Sequence, residues 1–408
     1  MDITLHKSQI ENKKSKVIIT GSKSESNRLL LLKALYPEFI LENISNSDDS
    51  NLMTQALISS SDIIDIHHAG TAMRFLTAFL SIQDGKEVII TGSQRMKERP
   101  IKILVDALNE LGADISYTEN EGFPPLKIKG KILTKSKVSL QANVSSQYIS
   151  ALLLIASKLE NGLELTLEGE ITSIPYIKMT LALLDDIGIE TSFIGHTIKV
   201  KTSAQNQQPK TLTVESDWSS ASYYFSIVAL CEAGTEITLS SYKENSLQGD
   251  SVLVDIYKHF GVVSTFENNS VTLKKESKKL EPLTLNLQNA PDIAQTIAVT
   301  CFGLGLACDL TGLHTLKIKE TDRLVALKTE IEKLGGDVKI TNESLHLSPS
   351  DKMNKNVPIA TYHDHRMAMA FAPLALKTSI IIEDFNVVSK SYPAFWEDLQ
   401  SIGFKITK

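Results

Sequence analysis

Residues 103–112 read ILVDALNELG and are followed by the β-prone tripeptide ADI at 113–115. The apolar residues of this stretch recur at i, i+3, i+4 and i+7, which is the spacing of an amphipathic helix. Gly112 suits the left-handed position that ends many helices. The stretch therefore predicts a short α/β unit: a helix, a glycine stop and a strand.

The same pattern returns along the chain. Four more helical stretches, each followed by a glycine, lie at 179–187 (Gly188), 252–260 (Gly261), 324–334 (Gly335) and 395–402 (Gly403). Successive glycines are 68 to 76 residues apart, and a sixth, less regular copy without the glycine fits Asn51 to Ile64. Repetition at a fixed interval predicts that six α/β units fill the chain.

The length of 408 residues and the 42% hydrophobic content fit two domains with substantial cores. The polar stretch from Thr202 to Lys210 is typical of a surface loop, and it lies near the midpoint of the chain. Six units then divide into two lobes of three. Two equal lobes with a cleft between them are a common enzyme architecture.

Composition disfavours several classes of protein. A net charge of -6 is unlike that of a general nucleic-acid-binding protein, so no nucleic-acid partner is expected. The three cysteines, Cys231, Cys301 and Cys308, have no metal-ligand spacing and indicate buried thiols. No secretory h-region and no stretch of ~20 apolar residues is present, so we expect no membrane partner and a cytoplasmic location.

Arginine is scarce in this chain. Of 42 basic residues only six are arginines: Arg28, Arg74, Arg95, Arg99, Arg323 and Arg366. Each lies at or near a predicted turn-to-helix junction. Arginine grips planar carboxylate and phosphate in a bidentate manner that lysine cannot reproduce. The placement indicates one or two highly anionic small substrates, although codon bias also explains the scarcity itself.

Several predicted helix starts carry polar groups suited to anions. GSKSESNR at 21–28 follows a β-like stretch and precedes a helical run, which indicates either an anion site or a capped helix start. HHAGTAMR at 67–74 has the same shape, and the adjacent histidines there do not form a convincing metal site. Serines at 145, 146 and 173 open two further helices, as phosphate ligands or as plain caps.

Three charged segments lie just before predicted helices. RMKERP at 95–100 is either a solvated face or an anion site. In the segments at 317–323 and 362–367, Asp322 and Asp364 are interpreted as carboxylates that orient neighbouring arginines, and the His-Asp-His triplet is not expected to bind metal. Asp292 opens an apolar helix as a cap or as a base, and the cap is favoured.

Taken together, these segments resemble the 3-phosphoshikimate 1-carboxyvinyltransferase (EPSP synthase) family. The matching stretches occur in family order over nearly the whole chain: GSKSESNR (21–28), AGTAMR (69–74), RMKERP (95–100), SSQYISALL (145–153), SIPYIKMTLALL (173–184), SDWSSASYY (216–224), KETDR (319–323), DHRMAMAF (364–371) and SKSYPAFWEDL (389–399). Jointly they are highly specific.

The resemblance implies an α/β (α+β) fold of two lobes, each built from three βαβαββ units around a pseudo-threefold axis, with the active site in the interlobe cleft. It implies one lobe at 20–215, on the shikimate 3-phosphate side, and a second lobe made of 1–19 and 216–408. It also implies that the chain crosses between the lobes twice, near residues 20 and 215.

The implied reaction moves the enolpyruvyl group of phosphoenolpyruvate onto the 5-hydroxyl of shikimate 3-phosphate, in chorismate and aromatic amino-acid biosynthesis. Phosphate leaves through a tetrahedral addition–elimination intermediate. The expected partners are these two small molecules, with no cofactor and no metal, and the expected state is a monomer. Gly70 leaves room where glyphosate binds in the family, so inhibition by glyphosate is a hypothesis.

The resemblance also implies roles for individual residues. Ser24 and Arg28 hold the shikimate carboxylate, and Arg323 and Arg366 hold the carboxylate of phosphoenolpyruvate. The acid/base pair is Asp292 and Glu320. The 3-phosphate of shikimate 3-phosphate is bound by Ser145, Ser146 and Ser173, with Gln147 and Tyr176 beside it. The phosphate of phosphoenolpyruvate is bound by Lys23, Arg99 and Lys390, and Lys23 and Lys390 also take part in catalysis. Lys319 and Gly70 lie close by.

The chain departs from the common family pattern at a few uncharged positions. His68 stands where Asn usually precedes Ala-Gly-Thr, and Phe75 replaces a usual Pro. Ile174 replaces a frequent Lys, Thr315 a frequent Asn, and Ala290 a usual Ile. These departures concern packing below the phosphoenolpyruvate pocket and one hydrogen bond on the shikimate side.

Two competing interpretations remain open from the sequence. The related UDP-N-acetylglucosamine carboxyvinyltransferase usually has a cysteine in the loop that matches Ser93 to Arg99, and this chain has none there. The second competing interpretation is an RNA-end-processing protein or a non-catalytic anion-binding module on the same repeated fold. The acidic balance and the pair of Glu320 and Asp292 argue against it.

Overall fold

Strands and helices alternate along the chain of the computed structural model, which describes residues 1–10, 13–141, 145–171, 174–203 and 208–408. The chain divides into two units, which we name the terminal unit (residues 1–20 and 215–408) and the inserted unit (residues 21–214). Among the described residues, no helix combines the length and the apolar character needed to span a membrane.

The α-helices of the described residues are, in chain order, α1 Lys23–Leu35, α2 Asp48–Leu57, α3 Gly70–Ser81, α4 Gln94–Lys97, α5 Lys102–Glu110, α6 Ser146–Ala156, α7 Ile174–Asp186, α8 Trp218–Leu230, α9 Leu253–Lys258, α10 Ala294–Gly303, α11 Arg323–Lys333, α12 His365–Phe371 and α13 Phe395–Ser401. Short 3₁₀ helices lie at Gly249–Val252, Pro291–Ile293, His314–Ile318, Ala372–Leu376 and Phe385–Lys390.

The strands are β1 Ile3–His6, β2 Lys14–Val17, β3 Ile40–Glu42, β4 Ile63–Asp65, β5 Glu87–Thr91, β6 Asp114–Tyr117, β7 Leu126–Lys129, β8 Lys137–Gln141, β9 Leu163–Glu168, β10 Thr191–Ile194, β11 Thr197–Val200, β12 Thr211–Thr213, β13 Glu236–Ser240, β14 Val262–Glu267, β15 Ser270–Lys275, β16 Leu283–Asn286, β17 Cys308–Thr311, β18 Val338–Ile340, β19 Leu345–Leu347, β20 Val357–Ile359, β21 Ile380–Ile382 and β22 Lys405–Thr407.

Five four-stranded sheets share one topology. In each, two parallel strands are followed by two antiparallel ones, and the strand orders are β4-β5-β7-β6 and β8-β9-β11-β10 in the inserted unit, and β2-β13-β15-β14, β16-β17-β19-β18 and β20-β21-β1-β22 in the terminal unit. Each parallel pair needs a crossover, and helices supply it. The repetition predicted from the glycine spacing is therefore confirmed as a repeated sheet.

The sixth unit is reduced. The described residues place only β3 and β12, which are parallel, in its sheet. The helix predicted after Asn51 exists as α2, but the strand that ends the predicted copy at Ile64 is β4, and β4 pairs with β5 in the next sheet. The assignment of that strand to the sixth copy was wrong, because hydrophobic spacing does not reveal which sheet a strand joins.

The predicted glycine stops are confirmed. Each of the five glycines follows a helix with a positive φ, from 75° at Gly261 to 111° at Gly403. This left-handed conformation is nearly free of strain only for glycine. The helices that they end, among them α5, α9 and α11, lie within two residues or so of the predicted bounds, except that α7 begins earlier, at Ile174.

Each unit has its own apolar core around three central helices. In the inserted unit these are α1, α3 and α6, and in the terminal unit α8, α10 and α12. Every residue of α8 is buried. A helix that is apolar all round must be enclosed by other elements. Accordingly, α6, α8 and α10 contain no Asp, Glu, Lys or Arg, and α12 contains only Arg366, its second residue.

Gly130 allows the end of β7 to approach the end of α3. A Cβ atom at Gly130 would lie only 1.9 Å from the backbone oxygen of Gln83. We predict that Gly130→Ala lowers the free energy of unfolding by about 3 kcal/mol, because backbone atoms must move to relieve the clash. Urea titration of the purified variant measures this.

Gly112→Ala is the matched control for that variant. A Cβ at Gly112 meets no heavy atom within 4 Å, so only the strain of its φ of 109° applies, which is roughly 1–2 kcal/mol. Equal losses in the two variants would contradict the steric argument for Gly130.

Candidate active site

Arg323 organises the site residues of the terminal unit. It is the first residue of α11, its side chain is 2% exposed, and three carboxylates accept hydrogen bonds from its guanidinium group. Nε donates to Asp364 Oδ2 at 2.6 Å, Nη1 to Asp292 Oδ1 at 2.9 Å and Nη2 to Glu320 Oε2 at 2.8 Å. A buried cation with several charged partners is held rigidly. The arrangement fixes the two predicted acid/base carboxylates relative to each other.

Asp292 lies where three cations meet. It belongs to the 3₁₀ turn before α10, and its carboxylate contacts Lys319 Nζ at 3.4 Å, Arg323 Nη1 at 2.9 Å and Arg366 Nη2 at 3.3 Å. Burial by itself raises the pKa of Asp292, but Arg366, Lys319 and Arg323 outweigh it and hold that pKa well below its usual range. Asp292 is therefore an ionised hydrogen-bond acceptor. The favoured interpretation of Asp292 as a helix cap was wrong.

Glu320 is held in a similar way on the other side of Arg323. Lys390, at the end of the 3₁₀ helix Phe385–Lys390, donates to Glu320 Oε1 at 2.8 Å. Burial raises the pKa of Glu320, while Arg323, Lys390 and His365 lower it more, so the pKa lies well below its ordinary value. In this state Glu320 carries no proton. It can act as an acid only after the charges around it change.

The two aspartates predicted to orient arginines behave differently. Asp364 is completely buried, binds Nε of Arg323 and also accepts the backbone N–H of Arg366 at 2.9 Å, so this prediction is confirmed for it. Asp322 instead caps α11, because its Oδ1 accepts the backbone N–H groups of Leu324 and Val325. Its predicted role in orienting an arginine was wrong.

Two polar residues of this cluster were not identified from the sequence. Arg366 Nη2 donates to Ser219 Oγ at 3.2 Å, and Ser219 Oγ donates to Asp250 Oδ2. Burial and the nearby Asp292 raise the pKa of Asp250 to about 6, against the opposing effect of Arg366. Ser219 lies in a quoted family stretch, but Asp250 lies in a short turn with no recognisable spacing. Only the tertiary structure brings the two together.

In the inserted unit, Arg28 is a buried cation among neutral partners. It is 3% exposed, and it donates to Ser24 O at 2.7 Å, Thr180 Oγ1 at 2.8 Å and Ser150 Oγ at 2.9 Å. Burial lowers the pKa of Arg28 to about 10, partly offset by Tyr176 and Glu25. Within the described residues, no carboxylate lies within 4 Å of its guanidinium nitrogens. An anionic ligand would relieve this unbalanced charge.

Gly70 and Arg99 lie against each other at the start of α3. A Cβ atom at Gly70 would lie 2.3 Å from Arg99 Nη1, so the guanidinium group occupies the space that a side chain would fill. The buried Arg74 donates to Gly70 O at 3.1 Å and to Pro100 O at 3.0 Å, which fixes both flanks of this contact. Arg95 is different: it is exposed and pairs with Glu98 on the surface.

The remaining predicted ligands of the inserted unit lie at or near helix starts. Ser145 caps α6 by accepting the N–H of Gln147 at 3.3 Å, and Ser146 begins that helix. Gln147 Nε2 donates to Thr71 Oγ1 at 3.1 Å, which joins the starts of α6 and α3. Tyr176 lies in the first turn of α7, with the Arg28 guanidinium 5.8 Å from its ring. Ser173 lies outside the described residues.

The structure thus brings six predicted residues of the terminal unit into one network: Asp292, Lys319, Glu320, Arg323, Arg366 and Lys390. The predicted residues of the inserted unit form smaller groups, around Arg28, around Gly70 and around Lys23. Among the described residues, no cluster of three or more His, Cys, Asp or Glu has the arrangement of a metal site.

Comparison with known sequences identifies relatives over the whole chain. Residues 55–399 match the family model described as EPSP synthase (3-phosphoshikimate 1-carboxyvinyltransferase). A Bacteroides fragilis protein named 3-phosphoshikimate 1-carboxyvinyltransferase is 47% identical over 398 residues, 96% of each chain. A Haemophilus influenzae protein of the same name is 35% identical over 420 residues, covering 95% of this chain and 96% of its own.

Solved structures show the same fold at lower identity. The EPSP synthase of Acinetobacter baumannii superposes with a TM-score of 0.82 over 100% of both chains at 20% identity. The enolpyruvyl transferase NikO of Streptomyces tendae gives 0.72 at 14% identity, over 100% of this chain and 98% of its own. The predicted α/β fold of two lobes with repeated units is confirmed.

The raised pKa of Asp250 predicts how stability depends on pH. Because the folded protein binds this proton more tightly than the unfolded chain, ionisation of Asp250 destabilises the fold as pH rises from about 4 to 6. We predict that the free energy of unfolding of Asp250→Asn, relative to that of the unsubstituted protein, increases over that range by about 1–3 kcal/mol. Urea unfolding at several pH values measures the slope.

Asp255→Asn is the control, since Asp255 is exposed and pairs with Lys258 on the surface of α9. Asp250→Asn also loses the hydrogen bond from Ser219, but this loss is the same at every pH. It therefore does not affect how the free energy of unfolding changes with pH. Parallel pH dependence in Asp250→Asn and the unsubstituted protein would contradict the prediction.

Proposed function

The chain belongs to the EPSP synthase (3-phosphoshikimate 1-carboxyvinyltransferase) family, and we propose that it transfers the enolpyruvyl group of phosphoenolpyruvate to the 5-hydroxyl of shikimate 3-phosphate. Inorganic phosphate leaves. The chain is therefore a transferase of the shikimate pathway, which leads to the aromatic amino acids. The observation that carries the proposal is the pair of ionised carboxylates, Asp292 and Glu320, held on the buried Arg323.

Shikimate 3-phosphate carries a carboxylate and a phosphate, and the inserted unit offers a group for each. Arg28 and Ser24 bind the carboxylate, which gives Arg28 a direct negative partner in addition to its neutral hydrogen-bond acceptors. Ser145, Ser146 and Ser173 bind the 3-phosphate, with Gln147 and Tyr176 beside it. Serine hydroxyls and the free N–H groups at the start of α6 suit a phosphate.

Phosphoenolpyruvate is held through its two anionic ends. Lys23 and Arg99 bind its phosphate, as a point charge and as a fork of donors. Arg366 and Arg323 bind its carboxylate. Arg323 already donates to three protein carboxylates, so Arg366 contributes most of this grip and Arg323 holds the acid/base residues in place.

The reaction needs two proton movements. Addition of the 5-hydroxyl to C2 of phosphoenolpyruvate removes the hydroxyl proton and places a proton on the methylene carbon. Elimination of phosphate from the tetrahedral intermediate then removes a proton from that carbon and restores the double bond. Asp292 is ionised and can therefore act as the acceptor at the hydroxyl, and Glu320 suits the exchange at the methylene carbon.

Substrate binding prepares Glu320 for the acid role. In this structure Lys390 pairs with Glu320 at 2.8 Å. A substrate phosphate competes for Lys390 and adds negative charge, and both effects raise the pKa of Glu320 toward the range where it takes up a proton. The acid is then formed only when the substrate is bound, which limits unproductive proton transfer.

We also propose that the enzyme acts as a monomer in the cytoplasm. Both sets of residues come from one chain, so no second copy is needed to complete either set. The three cysteines are free thiols, and Cys301 and Cys308 are buried in the terminal unit. Free thiols are typical of a reducing compartment.

The test of the function is acceptor-dependent release of phosphate from phosphoenolpyruvate. Shikimate 3-phosphate and UDP-N-acetylglucosamine are offered in parallel to the purified protein, and inorganic phosphate and the enolpyruvyl product are measured. We expect turnover with shikimate 3-phosphate only. No phosphate release with shikimate 3-phosphate from folded protein would overturn the proposal.

Glu320→Gln tests the proton donor. We expect kcat to fall by roughly 10²–10⁴-fold, because the amide cannot exchange a proton, while both substrates still bind. Steady-state rates and equilibrium binding measure the two effects. Glu332→Gln on the exposed face of α11 is the control and should match the unsubstituted enzyme. Weak binding with normal turnover at saturation would contradict the assigned role.

Arg366→Lys tests the carboxylate grip. We expect phosphoenolpyruvate to bind more weakly by about 1–3 kcal/mol, since lysine retains the charge but loses the second donor. Calorimetric titration measures the dissociation constant. Arg95→Lys is the matched control, because Arg95 is exposed on the surface and should tolerate the change. An unchanged dissociation constant in Arg366→Lys would refute the assignment.

A further inference from the structure

Asp49 joins two side chains that come from different helix starts. It lies in the first turn of α2, and its side chain is only 5% exposed. Asp49 Oδ2 lies 3.3 Å from Lys23 Nζ, and Asp49 Oδ1 lies 3.6 Å from His68 Nε2. Within the described chain, Asp49 Oδ1 is shielded from solvent and accepts no hydrogen bond. One buried carboxylate therefore shares its charge between a lysine and an imidazole.

The positions of both partners are fixed by the core. Lys23 is the first residue of α1, and His68 lies two residues before α3 begins at Gly70. Both helices are buried in the inserted unit, and α2 packs against each of them. Lys23 and His68 remain 25% and 39% exposed, so their charged ends can meet a ligand. Asp49 below them sets the direction of both.

Other charged groups lie near His68. Asp48 lines the same open surface depression as His68, and Arg99 lies against Gly70, two residues along the chain. The ring of His67 meets that of His68 edge to face at 5.4 Å. The amide of His67 is bonded to Asp65, and its φ of 50° turns the backbone there. Two cations, Lys23 and Arg99, and two anions, Asp48 and Asp49, therefore belong to this part of the inserted unit.

We propose that His68 is a titratable anion-binding group of the phosphoenolpyruvate phosphate site, and that Asp49 positions His68 together with Lys23. The proposal rests on the assignment of Lys23 and Arg99 to that phosphate. An imidazole changes its charge near neutral pH. When His68 is protonated, it adds a cation next to the phosphate and takes part of the negative charge of Asp49 away from Lys23. When it is neutral, both contributions are lost.

The consequence is that the affinity for phosphoenolpyruvate depends on pH through a group of the enzyme, in addition to the titration of the substrate. Phosphoenolpyruvate should bind more tightly at pH values where His68 is protonated and more weakly at pH values where it is neutral. The phosphate of the substrate also titrates in this range, but it does so equally for every variant. The ratio of the KM values of two variants therefore isolates the contribution of the protein.

The experiment compares the unsubstituted enzyme with His68→Asn, a polar replacement that cannot titrate, between pH 5.5 and 8.5. The ratio of the unsubstituted KM for phosphoenolpyruvate to that of His68→Asn should rise about 3- to 10-fold across the range. The KM for shikimate 3-phosphate should change less than 2-fold. His68→Gln is a second variant should His68→Asn unfold, which thermal unfolding detects.

His67→Asn is the matched control, since His67 is the adjacent histidine and, within the described residues, forms no ion pair with Asp49. It should follow the unsubstituted enzyme at every pH. A KM ratio for His68→Asn that stays within 2-fold over the whole range would overturn the proposal, as would an equal effect in His67→Asn. Failure of the proposed function is a different result, because then no variant releases phosphate at all.

Asp49→Asn tests the positioning role. Without the carboxylate, the imidazolium loses its counter-charge, so the midpoint of the pH dependence should move to lower pH and the KM for phosphoenolpyruvate should rise. A purely structural role of Asp49 would alter stability without moving that midpoint. An unmoved midpoint would therefore overturn the positioning role.

Discussion

Burial of three central helices in each unit is the constraint on which the rest of the structure depends. Along α8 no residue reaches solvent, and α3 and α6 are nearly as enclosed. Such helices bring ionised groups into the core only at cost, and α6, α8 and α10 contain none. Lys23 and Arg366 lie in the first turns of α1 and α12, where backbone N–H groups are also free. Lys23, Gly70 and Ser146 begin three of these helices, and Arg366 is the second residue of a fourth, which Asp364 caps. Each core thereby places polar groups at the starts of its own helices.

The two units balance their charges in different ways. In the inserted unit the hydrogen bonds of the Arg28 guanidinium group go to neutral acceptors. In the terminal unit the cations are already paired: Arg323 with Asp364, Asp292 and Glu320, and Lys390 with Glu320. The first arrangement favours binding of anions, and the second favours control of proton affinity. A substrate that draws Lys390 away from Glu320 alters the pKa of that carboxyl without any change in the fold.

The helices, their glycine stops and the count of repeated units could be predicted, because they follow from local spacing of apolar residues and from single glycines such as Gly112. The arginines could be singled out from the sequence, since they are few and lie beside helix starts, whereas Asp292, Glu320 and the lysines were named through the family resemblance. Which carboxylate meets which arginine could not. Asp322 is adjacent to Arg323 in sequence and yet caps the helix, whereas Asp364, 41 residues away, binds its guanidinium. Asp49 and Asp250 were missed for the same reason: each acquires its role through contacts between distant elements.

The most direct test of proton chemistry at Glu320 and Asp292 is the reaction run in deuterium oxide. The enolpyruvyl product and the remaining phosphoenolpyruvate are analysed by mass spectrometry after partial turnover. Addition followed by elimination places a solvent proton on the methylene carbon, so deuterium should enter the methylene group of the product and, through reversal, that of phosphoenolpyruvate, only when shikimate 3-phosphate is present. Product formed over many turnovers with no deuterium in its methylene group would contradict the assigned chemistry.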